Sequence, residues 1–275
     1  MAEPAPQPTI NDNTANDVLY EVADHIATIT LNAPQRMNTI SGPMLNELTQ
    51  RLVEANQNAD VRCVVLTGRG RAFCAGLDLK AERSGDSLLS SASSPTNLDL
   101  RNTPPTVMHA MDKPIVCAVN GGAAGYGFDL TLGADIRLLA RSAKLAVAFC
   151  KRGVVPESGG TWYLPRLLGW SKAAELILTG RTLSADEALA AGLASEVVDD
   201  EALAARARAL ATEIAGNAPL AVQAAKRMMR MGLNEPFNEH VHHVFLQLLP
   251  LMRTQDFQEG VRSFMEKRPP DFQGR

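Results

Sequence analysis

Long apolar runs, closely spaced cysteines and an excess of either charge are all lacking in this sequence of 275 residues. No apolar run approaches the ~18 to 20 residues of a membrane-spanning helix, so no membrane partner is expected. A net charge of −3 provides no broad basic surface, which argues against a nucleic-acid partner. The four cysteines have no CxxC spacing, which favours buried free thiols over a zinc or redox motif.

The composition is that of a globular protein with a large core, since 45% of the residues are hydrophobic and 21% are charged. Residues 1–17 are rich in proline, asparagine and aspartate and are predicted to be a disordered leader. This leader has no basic stretch followed by an apolar one, so a cytoplasmic location is expected.

The periodicity predicts α/β organisation over residues 18–200 and helices alone over residues 201–275. Strands are predicted at 18–22 and 25–31 with a hairpin near Ala23 and Asp24, followed by a helix at 42–58 and a buried strand at 61–68. Further strands are predicted at 114–120, 135–140 and 144–149, and the sheet is expected to be complete before the helix at 172–179. The serine-rich residues 81–105 are predicted to form a flexible flap.

Two segments read as an apolar strand, a glycine turn and the start of a helix: AFCAGLDLK at 72–80 and NGGAAGYGFDLTLGAD at 120–135. Each turn would present backbone N–H groups that have no intrahelical partner. Two such turns that face each other form an oxyanion hole. The second segment is not a dinucleotide fingerprint, because Leu130 stands where GxGxxG requires its third glycine.

These paired motifs resemble those of the crotonase (enoyl-CoA hydratase/isomerase) family, and the resemblance extends from about residue 19 to residue 275. It implies a crotonase (ClpP-like) spiral of ββα units with a C-terminal helical trimerisation region. A homotrimer or a dimer of trimers is therefore expected. It also implies an acyl-CoA thioester substrate, with coenzyme A as part of the substrate and no permanently bound cofactor. The oxyanion-hole amides would belong to Leu77 and Tyr126, whose side-chain identity would be nearly free.

The resemblance also assigns the carboxylates. Family hydratases use two glutamates, and Asp129 stands at the first position, whereas Phe149 stands at the second and would line the acyl pocket. Glu157, directly after Pro156, matches the carboxylate of members that shift double bonds, a branch that includes the phenylacetate-pathway epoxide isomerase. Alternatively, Glu157 is a first-turn acid for a helix beginning near Gly159, and Asp129 is an auxiliary or helix-stabilising acid.

The resemblance further implies a set of contacts to coenzyme A. Arg36 and Met37 lie in the family's PxxxN loop, where Asn38 is predicted to stabilise a turn rather than bind a ligand. The remaining expected contacts are Ala75, Gly76 and Asp78 beside the first glycine turn, and Phe264 and Lys267 in the C-terminal FxxKR motif. No metal is expected, because the histidines at 240, 242 and 243 lack the HExxH pattern.

The predicted function is an acyl-CoA isomerase that rearranges an unsaturated thioester through an enolate, with Glu157 as the base. The first alternative is an enoyl-CoA hydratase of fatty-acid or aromatic-acid breakdown that uses Asp129 and Glu157 around one water molecule. The second alternative is a non-catalytic family member that binds coenzyme A, a protein or RNA.

Overall fold

The computed structural model describes residues 17–78 and 103–275. The predicted leader, apart from its last residue, and most of the predicted flap lie outside the described residues. The expected α/β class is confirmed, because two largely parallel sheets are covered by helices.

The larger sheet has six strands in the order β1-β2-β3-β5-β7-β10. Their bounds are β1 Val18–Ala23, β2 Ile26–Leu31, β3 Cys63–Gly68, β5 Ile115–Val119, β7 Ile136–Ala140 and β10 Glu196–Val198. The predicted hairpin joins β1 to β2 as an antiparallel pair. Its turn uses Asp24 and His25 at φ values of 49° and 64°. The other pairs are parallel, and β5 is buried along its whole length.

The smaller sheet has four strands in the order β4-β6-β8-β9. Their bounds are β4 Ala72–Cys74, β6 Gly122–Ala124, β8 Lys144–Ala146 and β9 Thr182–Ser184. The pairs β4-β6 and β6-β8 are parallel, whereas β8 and β9 are antiparallel. Parallel pairing places the carboxyl ends of β4 and β6, where the two glycine turns begin, at the same edge of this sheet.

The helices cover these sheets and form the C-terminal region, and after β10 every described element is helical. Their bounds are α1 Gly42–Gln57, α2 Pro104–Ala110, α3 Tyr126–Leu132, α4 Gly160–Leu168, α5 Trp170–Thr179, α6 Ala185–Ala190, α7 Leu203–Ala215, α8 Pro219–Gly232, α9 Phe237–Leu251 and α10 Gln255–Glu266. Over the described ranges, no helix combines the length and the apolar character needed to cross a membrane.

The core lies between the six-stranded sheet and the helices that pack on it. Leu48 and Leu52 of α1 and Ala207 and Ala211 of α7 are all buried at no more than 1% exposure. Burying a leucine side chain contributes about 1.5–3 kcal/mol. Contacts of this kind therefore hold α1 and α7 on the six-stranded sheet.

Several sequence predictions are corrected by the structure. The sheets are not complete before residue 179, since β9 and β10 follow it. Each of these strands has only three residues, too few to show an alternation of apolar and polar side chains. Strand β8 ends at Ala146 rather than at residue 149. Residues 104–105 of the predicted flap begin α2, because proline at the first helical positions is compatible with a helix start. Of the four cysteines, Cys150 is exposed and the other three are buried.

Candidate active site

The first glycine turn follows β4 and leaves one backbone amide unbonded. The Ala75 amide donates to Met37 O at 3.0 Å, and the Asp78 amide donates to Ile40 O at 2.9 Å. Ile40 in turn donates to Gly76 O at 2.8 Å, which makes Ile40 and Leu77 a parallel bridge pair. The Gly76 carbonyl and the Asp78 amide, on either side of Leu77, both bond to Ile40. The Leu77 N–H therefore points away from Ile40. Among the described residues, nothing accepts a hydrogen bond from this N–H.

The second glycine turn also leaves an amide unbonded. Gly125 adopts φ 52° between β6 and α3, and its own N–H donates to Ala146 O at 3.1 Å. Tyr126 is the first residue of α3, so its N–H has no intrahelical acceptor. Within the described ranges it finds no other acceptor. The positive end of the α3 dipole therefore lies at a free N–H.

Glycines allow the two turns to approach each other closely. A Cβ atom on Gly76 would lie 3.0 Å from Ala124 O and 3.9 Å from Tyr126 N, and Gly76 itself has φ +108°. A Cβ atom on Gly127 would lie only 2.1 Å from Cys74 O. The residue before Leu77 thus packs against the start of α3, and the two unbonded amides belong to neighbouring turns.

Asp129 joins α3 to the start of α4. Its side chain is 1% exposed, and its Oδ2 atom accepts hydrogen bonds from Ser158 N at 3.2 Å and Gly160 N at 3.1 Å. These amides belong to the N-terminal end of α4, whose N-cap residue Gly159 has no side chain to cap it. Asp129 therefore caps a neighbouring helix and holds the loop that carries Glu157.

The environment of Asp129 disfavours its charged form. Burial and, to a smaller extent, the Glu157 carboxylate raise the pKa of Asp129 to about 7, against the opposing effect of the Gly160 and Ser158 amides. The second carboxylate oxygen, Oδ1, is buried and has no partner among the described residues. Near neutral pH, Asp129 consequently exchanges a proton with little free-energy cost.

Glu157 lies in the loop between buried Pro156 and buried Ser158, and it is exposed in the single chain. Partial desolvation raises its pKa, whereas its own backbone amide lowers it. Because Asp129 holds the amides at the start of α4, the alternative in which Glu157 serves as the first-turn acid of that helix is not supported. The Glu157 carboxylate therefore does not cap α4.

Phe149 stands where the resemblance described above predicts a second glutamate in a hydratase. It is 3% exposed and precedes a short 3-10 helix, Cys150–Arg152. Its carbonyl accepts from Arg152 N at 2.8 Å. The buried ring supplies apolar surface and no group that titrates.

The loop at residues 34–38 packs against β4. Asn38 is fully buried, donates to Ala72 O at 2.8 Å and to Phe73 O at 3.1 Å, and accepts from Ala33 N at 2.8 Å. The prediction that Asn38 stabilises a turn is confirmed. Met37 is 39% exposed in a left-handed conformation at φ 55°.

Arg36 is already occupied by protein groups. Its Nη2 atom donates to Asp17 Oδ2 at 2.6 Å and its Nε atom donates to Thr39 O at 3.1 Å, while the Asp78 carboxylate lies 3.8 Å away. Any anion that Arg36 binds would have to compete with Asp17.

Phe264 and Lys267 lie at the other end of the chain, at the end of α10. Phe264 is 85% exposed, and Lys267 ends the helix in a left-handed conformation at φ 54°. Across the described ranges, no hydrogen bond or ion pair joins Lys267 to the glycine turns. The single chain therefore does not bring this predicted pair of residues to the rest of the site.

The Tyr126 side chain was not predicted to have a role. Its hydroxyl is buried and lies near Asp129, Glu157 and the Ser158 side chain. Burial raises the pKa of Tyr126, and both carboxylates add to the rise. The sequence did contain one signal that Tyr126 lies near Asp129: residues three apart in a helix share one face.

Comparisons by sequence and by structure both find relatives of one family. Residues 21–275 match the family model described as enoyl-CoA hydratase/isomerase. The chain is 37% identical to the 1,2-epoxyphenylacetyl-CoA isomerase of Escherichia coli, over 94% of this chain and 98% of that protein. It is 36% identical to the (E)-benzylidenesuccinyl-CoA hydratase of Thauera aromatica, over 94% of this chain and 99% of that protein.

The solved structure of an enoyl-CoA hydratase from Bacillus anthracis superimposes with a TM-score of 0.87 at 35% identity. The match covers 94% of this chain and 100% of that one. Two largely parallel sheets followed by C-terminal helices, together with the family match over most of the chain, agree with the expected crotonase spiral. The protein therefore belongs to the enoyl-CoA hydratase/isomerase (crotonase) family.

Proposed function

We propose that this acyl-CoA-processing enzyme is an isomerase that moves a double bond in an unsaturated acyl-CoA, with Glu157 as the base. The observation that carries the proposal is the pair of free amides at Leu77 and Tyr126 beside the loop that carries Glu157, whose carboxylate does not cap α4. These are the donors and the base that an enolate mechanism requires.

The proposed reaction begins with a 3-enoyl thioester whose carbonyl oxygen accepts hydrogen bonds from both amides. Glu157 removes a proton from the carbon next to the carbonyl, and the electron pair of that C–H bond moves onto the thioester oxygen as a dienolate. The same carboxyl group then returns the proton two carbons along the chain, so the double bond ends beside the carbonyl. Each amide donor supplies about 3–4 kcal/mol of transition-state stabilisation in comparable sites.

The surroundings of Glu157 support this assignment over a two-glutamate hydratase. Phe149 provides a buried ring where a hydratase would have its second glutamate, and a ring activates no water. Asp129 bonds to the amides of Ser158 and Gly160, so the chain directly after Glu157 is held in place. The Escherichia coli relative that is 37% identical is named as an isomerase.

Hydration of a 2-enoyl-CoA is the second candidate function. It is favoured by Asp129, whose pKa of about 7 and unpartnered Oδ1 atom suit a group that shares a proton with water. Two relatives, from Rhodobacter capsulatus and Thauera aromatica, are named as hydratases.

The two functions are separated by assaying the purified protein with a 3-enoyl-CoA and a 2-enoyl-CoA of the same chain length. Isomerisation is followed by the appearance of the conjugated thioester, and hydration by its loss. We expect isomerisation to be faster by at least about tenfold. Hydration that is much faster than isomerisation would reject the isomerase and favour the alternative.

We also propose that coenzyme A contacts Arg36, Met37 and the backbone at Ala75, Gly76 and Asp78. The Arg36 guanidinium already binds one anion, the Asp17 carboxylate, and a phosphate group of coenzyme A would replace Asp17 there. Phe264 and Lys267 would contact the coenzyme A of a neighbouring subunit in a homotrimer or a dimer of trimers. Their exposure at the end of α10 is consistent with that role.

A further inference from the structure

An aromatic cluster joins the end of α2 to the start of α4, the helix that directly follows the Glu157 loop. It consists of His109, Trp162 and Tyr163, whose ring centroids lie 4.9, 5.2 and 6.0 Å apart. All three pairs have the edge-to-face geometry that aromatic rings favour. Neither the oxyanion hole nor the proposed base includes any of these side chains.

Tyr163 forms the polar contact of this cluster. Its hydroxyl oxygen lies 3.0 Å from His109 Nδ1, within hydrogen-bond distance. Burial is the main effect that raises the pKa of Tyr163 to about 12, so the phenol keeps its proton and can donate. Burial lowers the pKa of His109, and the charges of Arg230 and Lys226 add to the lowering. The imidazole is therefore neutral at pH 7 and can share a hydrogen bond with the phenol.

The ring of the same tyrosine packs on the turn behind Glu157. A Cβ atom on Gly159 would lie 3.0 Å from Tyr163 Cε2 and 3.1 Å from its Cδ2. The Tyr163 amide also donates to Gly159 O at 2.9 Å, and Gly159 adopts φ +105°. The tyrosine therefore lies against the backbone two residues after the proposed base and limits its movement.

Asp129 and Tyr163 restrain adjacent residues of this turn. Asp129 Oδ2 accepts hydrogen bonds from the amides of Ser158 and Gly160, while the tyrosine ring covers the residue between them. Residues 154 and 155, before the base, are 53% and 67% exposed. The position of the base therefore depends mainly on the residues that follow it.

The other end of the contact is held by the C-terminal helices. Arg230 of α8 donates to the carbonyl oxygens of His109 and Met111 at 2.9 and 3.1 Å. It also donates to Asp112 Oδ1 at 3.0 Å. The last carbonyls of α2 have no intrahelical partner, so a cation at this end stabilises the helix. The backbone of His109 is thus a fixed anchor for the tyrosine.

We propose that Tyr163 is a positioning residue for Glu157. Its hydroxyl bonds to His109, its ring holds the turn at Gly159, and this turn keeps the carboxylate where it meets the acyl carbons. The inference rests on the proposed function, since it requires Glu157 as the base. Misplacing a reacting group by about 1 Å can cost about 100-fold in rate, so the loss of one supporting hydrogen bond should cost about tenfold.

The test removes the hydrogen bond from either side. Tyr163→Phe keeps the ring and removes the hydroxyl, whereas His109→Leu removes the partner atom. His109→Asn is the rescue variant, because asparagine, like histidine, has a polar atom bonded to Cγ. Tyr20→Phe is the matched control, since it removes a phenol hydroxyl on β1, away from the Glu157 loop.

Two quantities are measured on every variant. One is turnover of the thioester that wild type converts faster, the 3-enoyl-CoA or the 2-enoyl-CoA. The other is hydrogen exchange of the Ser158 and Gly160 amides, which Asp129 protects in wild type.

We expect Tyr163→Phe and His109→Leu each to lower kcat by about tenfold with KM unchanged within about twofold, and to speed exchange at the two amides. The double variant should be no slower than either single one, because both act through one bond. His109→Asn and Tyr20→Phe should stay within about twofold of wild type.

The inference is overturned if Tyr163→Phe turns over and exchanges at the rates of the control, or if His109→Asn is as slow as His109→Leu. Faster exchange throughout the protein would also overturn it, because that indicates a general loss of stability. The same holds for faster exchange at the two amides with kcat unchanged.

These outcomes are distinct from failure of the proposed function. A wild type that hydrates but does not isomerise contradicts the isomerase, and the test still applies because Glu157 is used in both reactions. A wild type that converts neither thioester contradicts the proposed function. Exchange at the two amides then decides by itself whether Tyr163 holds the turn, since it needs no turnover.

Discussion

The two oxygens of the Asp129 carboxylate have different environments, and each relates to a different property of the protein. Oδ2 bonds to the amides of Ser158 and Gly160 and stabilises the start of α4. Oδ1 is buried without a partner among the described residues. The same side chain therefore supports the Glu157 loop and carries an exchangeable proton.

The raised pKa of Asp129 predicts how stability depends on pH. Because its folded-state pKa of about 7 exceeds the ordinary value of 3.8, its contribution is fully present below about pH 4 and is lost as the pH rises to about 7. The Asp129→Asn side chain does not ionise. Between pH 5 and pH 8, urea unfolding should show this variant gaining about 2–3 kcal/mol relative to wild type.

The control for this experiment is Asp60→Asn, which changes an exposed carboxylate in the turn before β3. Its stability relative to wild type should not depend on pH in this way. A difference between Asp129→Asn and wild type that is the same at both pH values would contradict the buried, proton-exchanging state of Asp129.

Replacement of Glu157 tests the proposed base. Glu157→Gln keeps the size of the side chain and removes its ability to accept a proton, so turnover of a 3-enoyl-CoA should fall by about 10²–10⁴-fold. Affinity for coenzyme A should stay within about twofold, because the residues proposed to contact it are elsewhere.

Glu213→Gln, an exposed change on α7, is the matched control and should leave both quantities unchanged. Turnover by Glu157→Gln at the wild-type rate would assign the base to another group, with Asp129 as the next one to test.

At the scale of elements, the candidate site depends on how closely β4 approaches the start of α3. The strands β4 and β6 are parallel neighbours, and each leads into a glycine turn at the same sheet edge. Backbone atoms of one turn contact backbone atoms of the other, so no side chain can stand between them. The two free amides thus depend on the packing of two short strands.

Alanine substitutions of two glycines test this dependence. A Cβ atom on Gly127 would lie 2.1 Å from Cys74 O, whereas one on Gly122 would have no neighbour within 4 Å. Gly127→Ala should destabilise the protein by about 1–3 kcal/mol through overpacking and lower turnover as α3 shifts. Gly122→Ala should be neutral or stabilising by about 0.4–1 kcal/mol.

Urea unfolding measures both free energies, and thioester turnover at saturating substrate measures the effect on the site. Equal stability and equal turnover of the two variants would show that the close approach of β4 and α3 does not matter for function.

At the scale of the whole molecule, the C-terminal helices present much apolar surface. Four large side chains of α9 are more than half exposed in the single chain: Phe237 at 79%, Phe245 at 57%, Leu246 at 51% and Leu249 at 53%. Several large apolar side chains exposed on one helix are typical of a surface that contacts another chain. It supports the proposed assembly of several copies through the C-terminal region.

Phe245→Glu should disrupt this assembly, because burying a charge without a partner costs more than the contact contributes. Light scattering during gel filtration should show the variant shifting towards the monomer mass of 29.5 kDa. Val22→Glu, an exposed apolar position on the edge strand β1, is the control and should keep the wild-type mass. A wild-type protein that is itself a monomer would contradict the proposal.

Elements with local signals were predictable from the sequence. The β1-β2 hairpin and the helix after Ser41 each have their determining residues within a few positions of one another. The short strands β9 and β10 were missed for the opposite reason. Their three residues form strands only because β8 and β7 offer hydrogen-bonding partners from distant parts of the chain.

The features of the candidate site also fall into local ones, which the sequence predicts, and long-range ones, which it does not. The sequence alone determined the two glycine turns, the family, the replacement of a second glutamate by Phe149 and the carboxylate after Pro156, because these are properties of residue type and spacing. Tertiary structure alone decided that Asp129 caps α4, that Arg36 pairs with Asp17, and that the Tyr126 hydroxyl is buried near two carboxylates. Burial and pairing join residues that are far apart in the chain, so they exist only once the chain has folded.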